Sequence, residues 1–261
     1  MDNFQDIQHH FERVASVYDH VRNTDPDVIE AIITHLPRDN RPVYVADIGC
    51  GTGQYSRLIA AQLNSNLQLF CCDYSAAMLA ECCKCMSREF PSHHIYYCRV
   101  CANNLPFAEG CLDAVVTFNG VHHFDLNRFA AGAARILRHG GLLFIYTRTP
   151  EQNARTVWGQ YLPEFTERET RLYRRTHLEN AIGSVPELQL EGMQEFEHVR
   201  VESLESLLKK ARNFHYSTFA LYPADEFRQA LKTFNKRLTN LSNNSLIEHI
   251  DENTLVLAQR I

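Results

Sequence analysis

The sequence predicts a doubly wound α/β fold, a mostly parallel sheet with helices on both faces, and three observations carry that prediction. Short apolar runs alternate with helix-spaced amphipathic stretches, at a density that strand–helix crossovers produce. The 261 residues are 45% hydrophobic and 22% charged, the balance of a globular chain long enough for one large core. A turn of alternating glycines, Gly49-Cys50-Gly51-Thr52-Gly53, stands between the first apolar run and a helix-like stretch.

Taken in order, "FERVASVYDHVR" sets Phe11, Val14, Ala15, Tyr18 and Val21 on one helical face, with Arg22 at the polar end. Pro37 and Pro42 bracket a loop, and "PVYVADIG" reads as a nearly all-apolar strand of the kind buried on both faces. Tyr55, Leu58, Ile59 and Leu63 then follow helical spacing. "LQLFCCD" is a strand, "SAAMLAECCKCMSREF" a helix that Ser75 caps, and "HIYYCRV" a third strand. "DAVVTFN" is a fourth strand, "DLNRFAAGAARILRHGG" a helix ended by Gly140 and Gly141, and "LLFIYT" a fifth strand. Beyond Pro150 the rhythm changes. "LQLEGMQEFEHVRV" and "SLIEHIDENTLVLAQRI" read as late strands added antiparallel at one edge, and Leu204 to Arg212 and Asp225 to Leu238 read as helices.

Charge and cysteine usage narrow the function. A net charge of -5, from 26 basic and 31 acidic residues, argues against a broad nucleic-acid footprint and leaves only a local basic patch open. The start, "MDNFQDIQHH", lacks the charged and apolar regions of a signal peptide, and no apolar run approaches the roughly 20 residues of a membrane helix. The expectation is a cytoplasmic protein with no membrane partner. All nine cysteines fall between Cys50 and Cys111, and an odd number without an export signal reads as reduced thiols. Cys82-x-x-Cys85 and Cys98-x-x-Cys101 have zinc-ribbon spacing, yet they fall inside a predicted helix and strand, so no metal is expected.

A strand running into glycines and then a helix puts free backbone N–H groups at the carboxyl edge of the sheet. Glycine lets a ligand approach the main chain with no Cβ in the way. The run is neither G-x-G-x-x-G nor a P-loop, since no Lys follows it. Asp47 stands two residues before the first glycine, which suits a cationic ligand better than a pyrophosphate. Asp73 ends the next strand, where a carboxylate accepts from ribose hydroxyls.

At these residues the sequence resembles the class I S-adenosylmethionine-dependent methyltransferases, in particular the methyltransferase-11 and ubiquinone/menaquinone-biosynthesis-like group. "VADIGCGTG", "CCDYSAAML", "ANNLPFAEGCLDAVVTFNGVHHF" and "ARILRHGGLLFIYT" match its motifs in order over about residues 40 to 148. The resemblance implies a Rossmann-like seven-stranded sheet in a single domain over 1–261. Residues 1–40 are its helical cover, 41–148 its cofactor-binding core, 149–222 a substrate-side cover with a late strand, and 223–261 a C-terminal helix and edge strand. S-adenosyl-L-methionine is the implied cofactor. Gly49, Cys50, Gly51 and Gly53 would let its methionine part pass, with Asp47 near the ammonium and Arg22 near the carboxylate. Asp73 would hold the ribose, Tyr74 and Met78 the adenine face, Ala102 and Asn103 the adenine edge, and Asn119 with Gly120 the sulfonium. The group usually has an acidic residue where this chain has Cys101, a poor acceptor, so either adenine binding is weaker or Asn103 substitutes for it.

Methyl transfer from a sulfonium is an in-line displacement, so the protein mainly aligns the acceptor, excludes water and, where needed, removes a proton. His122 and His123 directly follow the fourth strand and are the candidate bases, with Tyr18 on the entrance helix closing over the site. Tyr146, Arg148, Trp158, Tyr161, His215 and Tyr216 are candidates for lining an acceptor pocket. The expected activity is methylation of a small organic acceptor, most readily at oxygen, with carbon and nitrogen open and nucleic acid disfavoured. The alternatives are a non-catalytic cofactor-binding activator of a partner protein, an arsenite methyltransferase prompted by the thiols, and a nicotinamide-dependent enzyme. Nothing in the sequence sets the oligomeric state.

Overall fold

The computed structural model describes residues 23–37, 41–63, 66–240 and 246–261. The stretch containing Tyr18 and Arg22 lies outside the described residues. From the amino end come α1 (Pro26–Ile33), β1 (Val43–Ile48), α2 (Gln54–Gln62), β2 (Leu67–Asp73), α3 (Ala76–Glu89) and β3 (His94–Arg99). Next are β4 (Leu112–Phe118), a 3-10 turn (Val121–His123), α4 (Leu126–Ile136) and β5 (Leu137–Thr147). Then follow α5 (Pro150–Arg155), α6 (Val157–Tyr161), α7 (Phe165–Arg168), α8 (Arg175–Gly183) and β6 (Leu188–Ser203). The chain closes with α9 (Leu204–Arg212), a 3-10 turn (Ser217–Leu221), α10 (Ala224–Thr239) and β7 (Leu246–Arg260). Two compact units divide these elements: one holds Thr24–Thr147, Arg175–Gln194 and Thr254–Ile261, the other Arg148–Arg174 and Glu195–Asn253.

The seven strands lie in the order β3-β2-β1-β4-β5-β7-β6. β1 to β5 are parallel neighbours, and β7 runs antiparallel to β5, as the late-strand reading expects. The order reverses between β1 and β4, which opens a crevice beyond their carboxyl ends. Sequence and position agree: β4, LDAVVTF, is buried at every residue, whereas the edge strand β3 is nowhere fully buried. Ser75 caps α3 by accepting from the Met78 amide at 3.3 Å, and Asp125 caps α4 by accepting from that of Arg128 at 3.1 Å. The other unit has its own core, in which Trp158 stacks on Phe234 at 4.9 Å with Phe165 and Phe219 buried beside them.

One boundary differs from the sequence reading. The helix expected to run to Gly140 and Gly141 stops at Ile136, and both glycines lie within β5. β5 pairs with β4 through Leu112 and Leu137 and then through Ala114 and Leu142, so extra residues bulge out between the two pairings. The cause is Asp113, 4% exposed, whose Oδ1 accepts from Arg138 at 2.9 Å and Arg41 at 2.8 Å while Oδ2 accepts from the Tyr44 amide at 2.8 Å. Drawing Arg138 to this carboxylate costs the helix its last turn, and Gly140, at φ +79°, absorbs the reversal. Among the described residues no helix is long and apolar enough to cross a membrane.

Asp113 joins β1, β4 and β5, so Asp113→Ala should lower unfolding free energy by about 2 kcal/mol, toward the low end for charged hydrogen bonds because both guanidiniums keep contact with water. Urea denaturation checks this against Arg128→Ala on the exposed face of α4, which should shift the midpoint little.

Candidate functional site

The glycine turn is sewn to β2. The Cys72 carbonyl accepts from the amides of Gly49 at 2.7 Å and Cys50 at 3.0 Å, and the Gly51 amide donates to Asp73 Oδ2 at 2.9 Å. Asp73 Oδ1 accepts from the Ser75 amide at 2.8 Å. Gly49, Gly51 and Gly53 all have positive φ, 75°, 57° and 83°, a region that side chains resist. A Cβ on Gly53 would also stand 2.6 Å from Cys82 Sγ, and one on Gly49 3.0 Å from the Phe124 ring. Gly49 and Gly120 approach each other closely, so the turns after β1 and β4 meet at the reversal of strand order.

Two carboxylates dominate the electrostatics. Asp47 is 1% exposed; Oδ2 accepts from Ser56 Oγ at 2.6 Å, and Oδ1 has no hydrogen-bond partner among the described residues. Burial pushes its carboxyl up to about 8 against the opposing pull of Ser56. Burial also raises Asp73, opposed by the amides of Ser75 and Gly51. A buried carboxylate oxygen with open hydrogen-bonding capacity, beside a turn kept bare of side chains, fits a cationic ligand with an uncrowded stem. S-adenosylmethionine, with its ammonium and sulfonium, is such a ligand.

Around this cradle, Tyr74 is 41% exposed with the Arg99 guanidinium 5.5 Å from its ring centroid. Met78, at 1%, is packed inside. Ala102 is buried, and Asn103 Oδ1 accepts from the Asp125 amide at 2.8 Å, so the side chain expected to stand in for an acid at Cys101 already ties down the start of α4. Asn119 holds φ 52° and its amide donates to the Tyr146 carbonyl at 2.8 Å. His122 and His123, half-buried in the turn after β4, have ring centroids 4.1 Å apart.

Of the thiols, Cys71, Cys72 and Cys82 are buried in this unit and the other six are partly exposed. Burial and the neighbouring Cys71 and Cys82 push the Cys50 thiol well above its ordinary value, so its backbone is what the turn uses. Among the described residues no group of three or more His, Cys, Asp or Glu is placed to hold a metal ion.

The pocket candidates divide between the units. Tyr146, fully buried in the first, donates its hydroxyl to Asp25 at 2.7 Å, and Tyr55 donates to the same oxygen at 3.3 Å while its ring stacks on Phe118 at 4.2 Å. Arg148, in the second, donates to the Glu252 carbonyl at 3.1 Å, the Tyr216 hydroxyl at 2.9 Å and Asp251 at 3.3 Å. Trp158 and His215 are buried in that unit's core with rings 5.1 Å apart, and Tyr161 packs against it. Asp25 and Ser56 are partners that periodicity does not reveal, since Asp25 reads as a helix cap and Ser56 as one more residue of α2.

Fold and cradle together define a Rossmann-like class I S-adenosylmethionine-dependent methyltransferase domain. Residues 45–141, the stretch that holds Asp47, the glycine turn and Asp73, match the family model described as "Methyltransferase domain". Over 154 residues the chain is 33% identical to the "Probable tRNA methyltransferase 9B" of Mus musculus, covering 54% of this chain and 31% of that protein. Over 159 residues it is 30% identical to the "tRNA (carboxymethyluridine(34)-5-O)-methyltransferase alkbh8" of Xenopus tropicalis, covering 59% and 23%. The chain thus spans about a third or less of the length of these curated relatives. Among solved structures, geranyl diphosphate C-methyltransferase from Streptomyces coelicolor A3(2), in complex with S-adenosyl-L-homocysteine, superposes with a TM-score of 0.55 at 16% identity, covering 90% of this chain and 76% of that one. The two curated relatives overturn one expectation. Their names specify tRNA, against the reading of the net charge that set nucleic acid aside in favour of a small-molecule acceptor. A whole-chain charge sum averages away any local excess.

Two outcomes test the cradle. Gly53→Ala should lower stability by about 1–3 kcal/mol and weaken S-adenosylhomocysteine binding in calorimetry, and adding Cys82→Ala should recover the steric part only. For Asp47, the folded-state value lies above the ordinary 3.8, so the folded protein holds a proton that the unfolded chain releases, and stability declines as pH rises from about 4 to about 8. Asp47→Asn should remove that decline, so melting curves of the ligand-free variant and wild type should diverge in the variant's favour between pH 5 and pH 8.

Proposed function

We propose that this chain transfers a methyl group from S-adenosylmethionine to a carboxylate oxygen on a modified uridine of tRNA, forming a methyl ester. What supports the reading best is that a chain carrying this buried-carboxylate and glycine cradle is 33% and 30% identical, over 154 and 159 residues, to two relatives named for tRNA. When bound, S-adenosylmethionine supplies an electrophilic methyl on a sulfonium. Asp47 pairs with the ligand's ammonium through Oδ1 and gives up its proton as it does so. Asp73, its carboxylate set by two amides, accepts from the ribose hydroxyls, and Tyr74 covers the adenine. Asn119 and Gly120, in the turn after β4 that meets the glycine turn, lie beside the sulfonium.

A carboxylate acceptor changes what the protein must do. With a pKa near 4 it is ionised at neutral pH and needs no proton removed, so His122 and His123 act by orienting the acceptor. Alignment and exclusion of water then carry the rate.

The test uses bulk tRNA treated with mild alkali, which hydrolyses existing methyl esters back to carboxylates. Incubated with S-adenosylmethionine labelled in the methyl group, the protein should put label into tRNA, and a second alkali treatment should release it as methanol. Asp73→Ala should lower kcat/KM at least a hundredfold. Label that resists alkali would place the methyl on another atom, and no label in any tRNA despite binding of S-adenosylhomocysteine would refute the reading.

A further inference from the structure

Residues 204–240 carry seven basic side chains against three acidic ones, in a chain whose total is 26 against 31. Much of the positive charge in this unit is spent within it. Lys210 pairs with Glu202 at 2.6 Å, Arg155 with Glu252 at 2.6 Å, Arg168 with Glu164 and Glu226, and Arg228 with Asp225. Lys232 and Lys236 pair with no carboxylate among the described residues, and both are exposed.

The helix itself does not account for them. α10 buries Phe227, Ala230, Phe234 and Leu238 in its unit's core, so Arg228, Lys232 and Lys236, four residues apart, form a row on the opposite, solvent face. Like charges at that spacing destabilise a helix. The helix dipole favours cations in the last turn, which covers Lys236 and Arg237, but its influence does not reach back to Lys232. Arg237 turns aside to donate to the Tyr161 carbonyl at 3.0 Å. What remains is a row rising in steps of about 6 Å, comparable to the spacing of successive phosphates along an RNA strand, and held rigid by the core beneath it.

We propose that the solvent face of α10 carrying Lys232 and Lys236, with Arg228 at its start shared with Asp225, binds the phosphate backbone of tRNA. The inference rests on the tRNA reading above and adds the surface that holds the nucleic acid. Backbone contacts of this kind position a substrate without reading its sequence and weaken as salt rises.

The experiment uses the full chain with Lys232→Glu/Lys236→Glu and, separately, Lys232→Gln/Lys236→Gln. Filter binding measures tRNA affinity over a range of salt, and calorimetry measures S-adenosylhomocysteine binding. The charge reversal should weaken tRNA binding at least tenfold in 0.1 M salt, and the neutral pair should lower the slope of log affinity against log salt by about 1.4–1.8. S-adenosylhomocysteine affinity and the melting temperature should hold, since the helix loses only a row of like charges. If wild type binds and methylates tRNA and both variants bind it equally well, the surface is wrong and the function stands. If wild type neither binds nor methylates tRNA, the function fails and the surface with it. Should the variants keep tRNA affinity but lose binding to vesicles of anionic phospholipid, the face belongs to a membrane surface and the proposal is overturned.

Discussion

The site depends on one short hydrogen-bonded seam, the line along which the turn after β1 is tied to the end of β2. The Cys72 carbonyl takes two amides of the turn and Asp73 takes a third. This fixes a backbone that passes through positive φ at Gly49, Gly51 and Gly53. Such a path is strained for any other residue and would close the space with side chains. The glycines make the turn possible, and the seam makes it rigid. Under the proposed function, the carboxylate that stabilises the turn is also the one that would hold the ligand's ribose, so loop geometry and ligand recognition would share an atom group. That is preorganisation in a concrete form: the acceptor is aimed before the ligand arrives.

Asp47 shows the opposite economy. Placing a carboxyl at full burial with one oxygen unpartnered is unfavourable in the ligand-free protein, and its raised pKa expresses that cost. A nearby ammonium would reverse the balance, since attraction between opposite charges is strongest where water is excluded. Under the proposed function, stability given up locally here would be recovered on binding. Burial raises Asp73 too, but there both oxygens are hydrogen-bonded to amides that oppose the rise. The two acids therefore answer burial differently, one by waiting for a charge and one by using the backbone.

How much of this was legible in the sequence follows from how local each feature is. The first five strands, the glycine turn and the two acids are set by contiguous residues, and the apolar runs and G-x-G-x-G spacing announce them. The helix end at Gly140 and Gly141 was misread because the deciding partner, Asp113, is 25 residues from Arg138. Asn103 likewise spends its side-chain oxygen on Asp125, 22 residues on. The triangle of Asp25, Tyr55 and Tyr146 spans 121 residues and has no periodic signature. Aromatic richness after Pro150 suggested a pocket lining, whereas Trp158 fills the interior of its own unit, as large apolar rings mostly do.

The charge reading failed for a related reason, and it bears on what sequence can say about acceptors. Net charge is a sum, but a nucleic acid meets a surface, and on the folded chain several arginines of the second unit are paired with carboxylates far away in sequence. The few that escape are significant because their neighbours do not. Donor recognition is written in a compact motif, since one cofactor makes one set of demands on a few adjacent backbone atoms. Acceptor recognition is a matter of which side chains are left over after the fold has used the rest, and only the folded arrangement separates a spent arginine such as Arg168 from an unspent lysine such as Lys232.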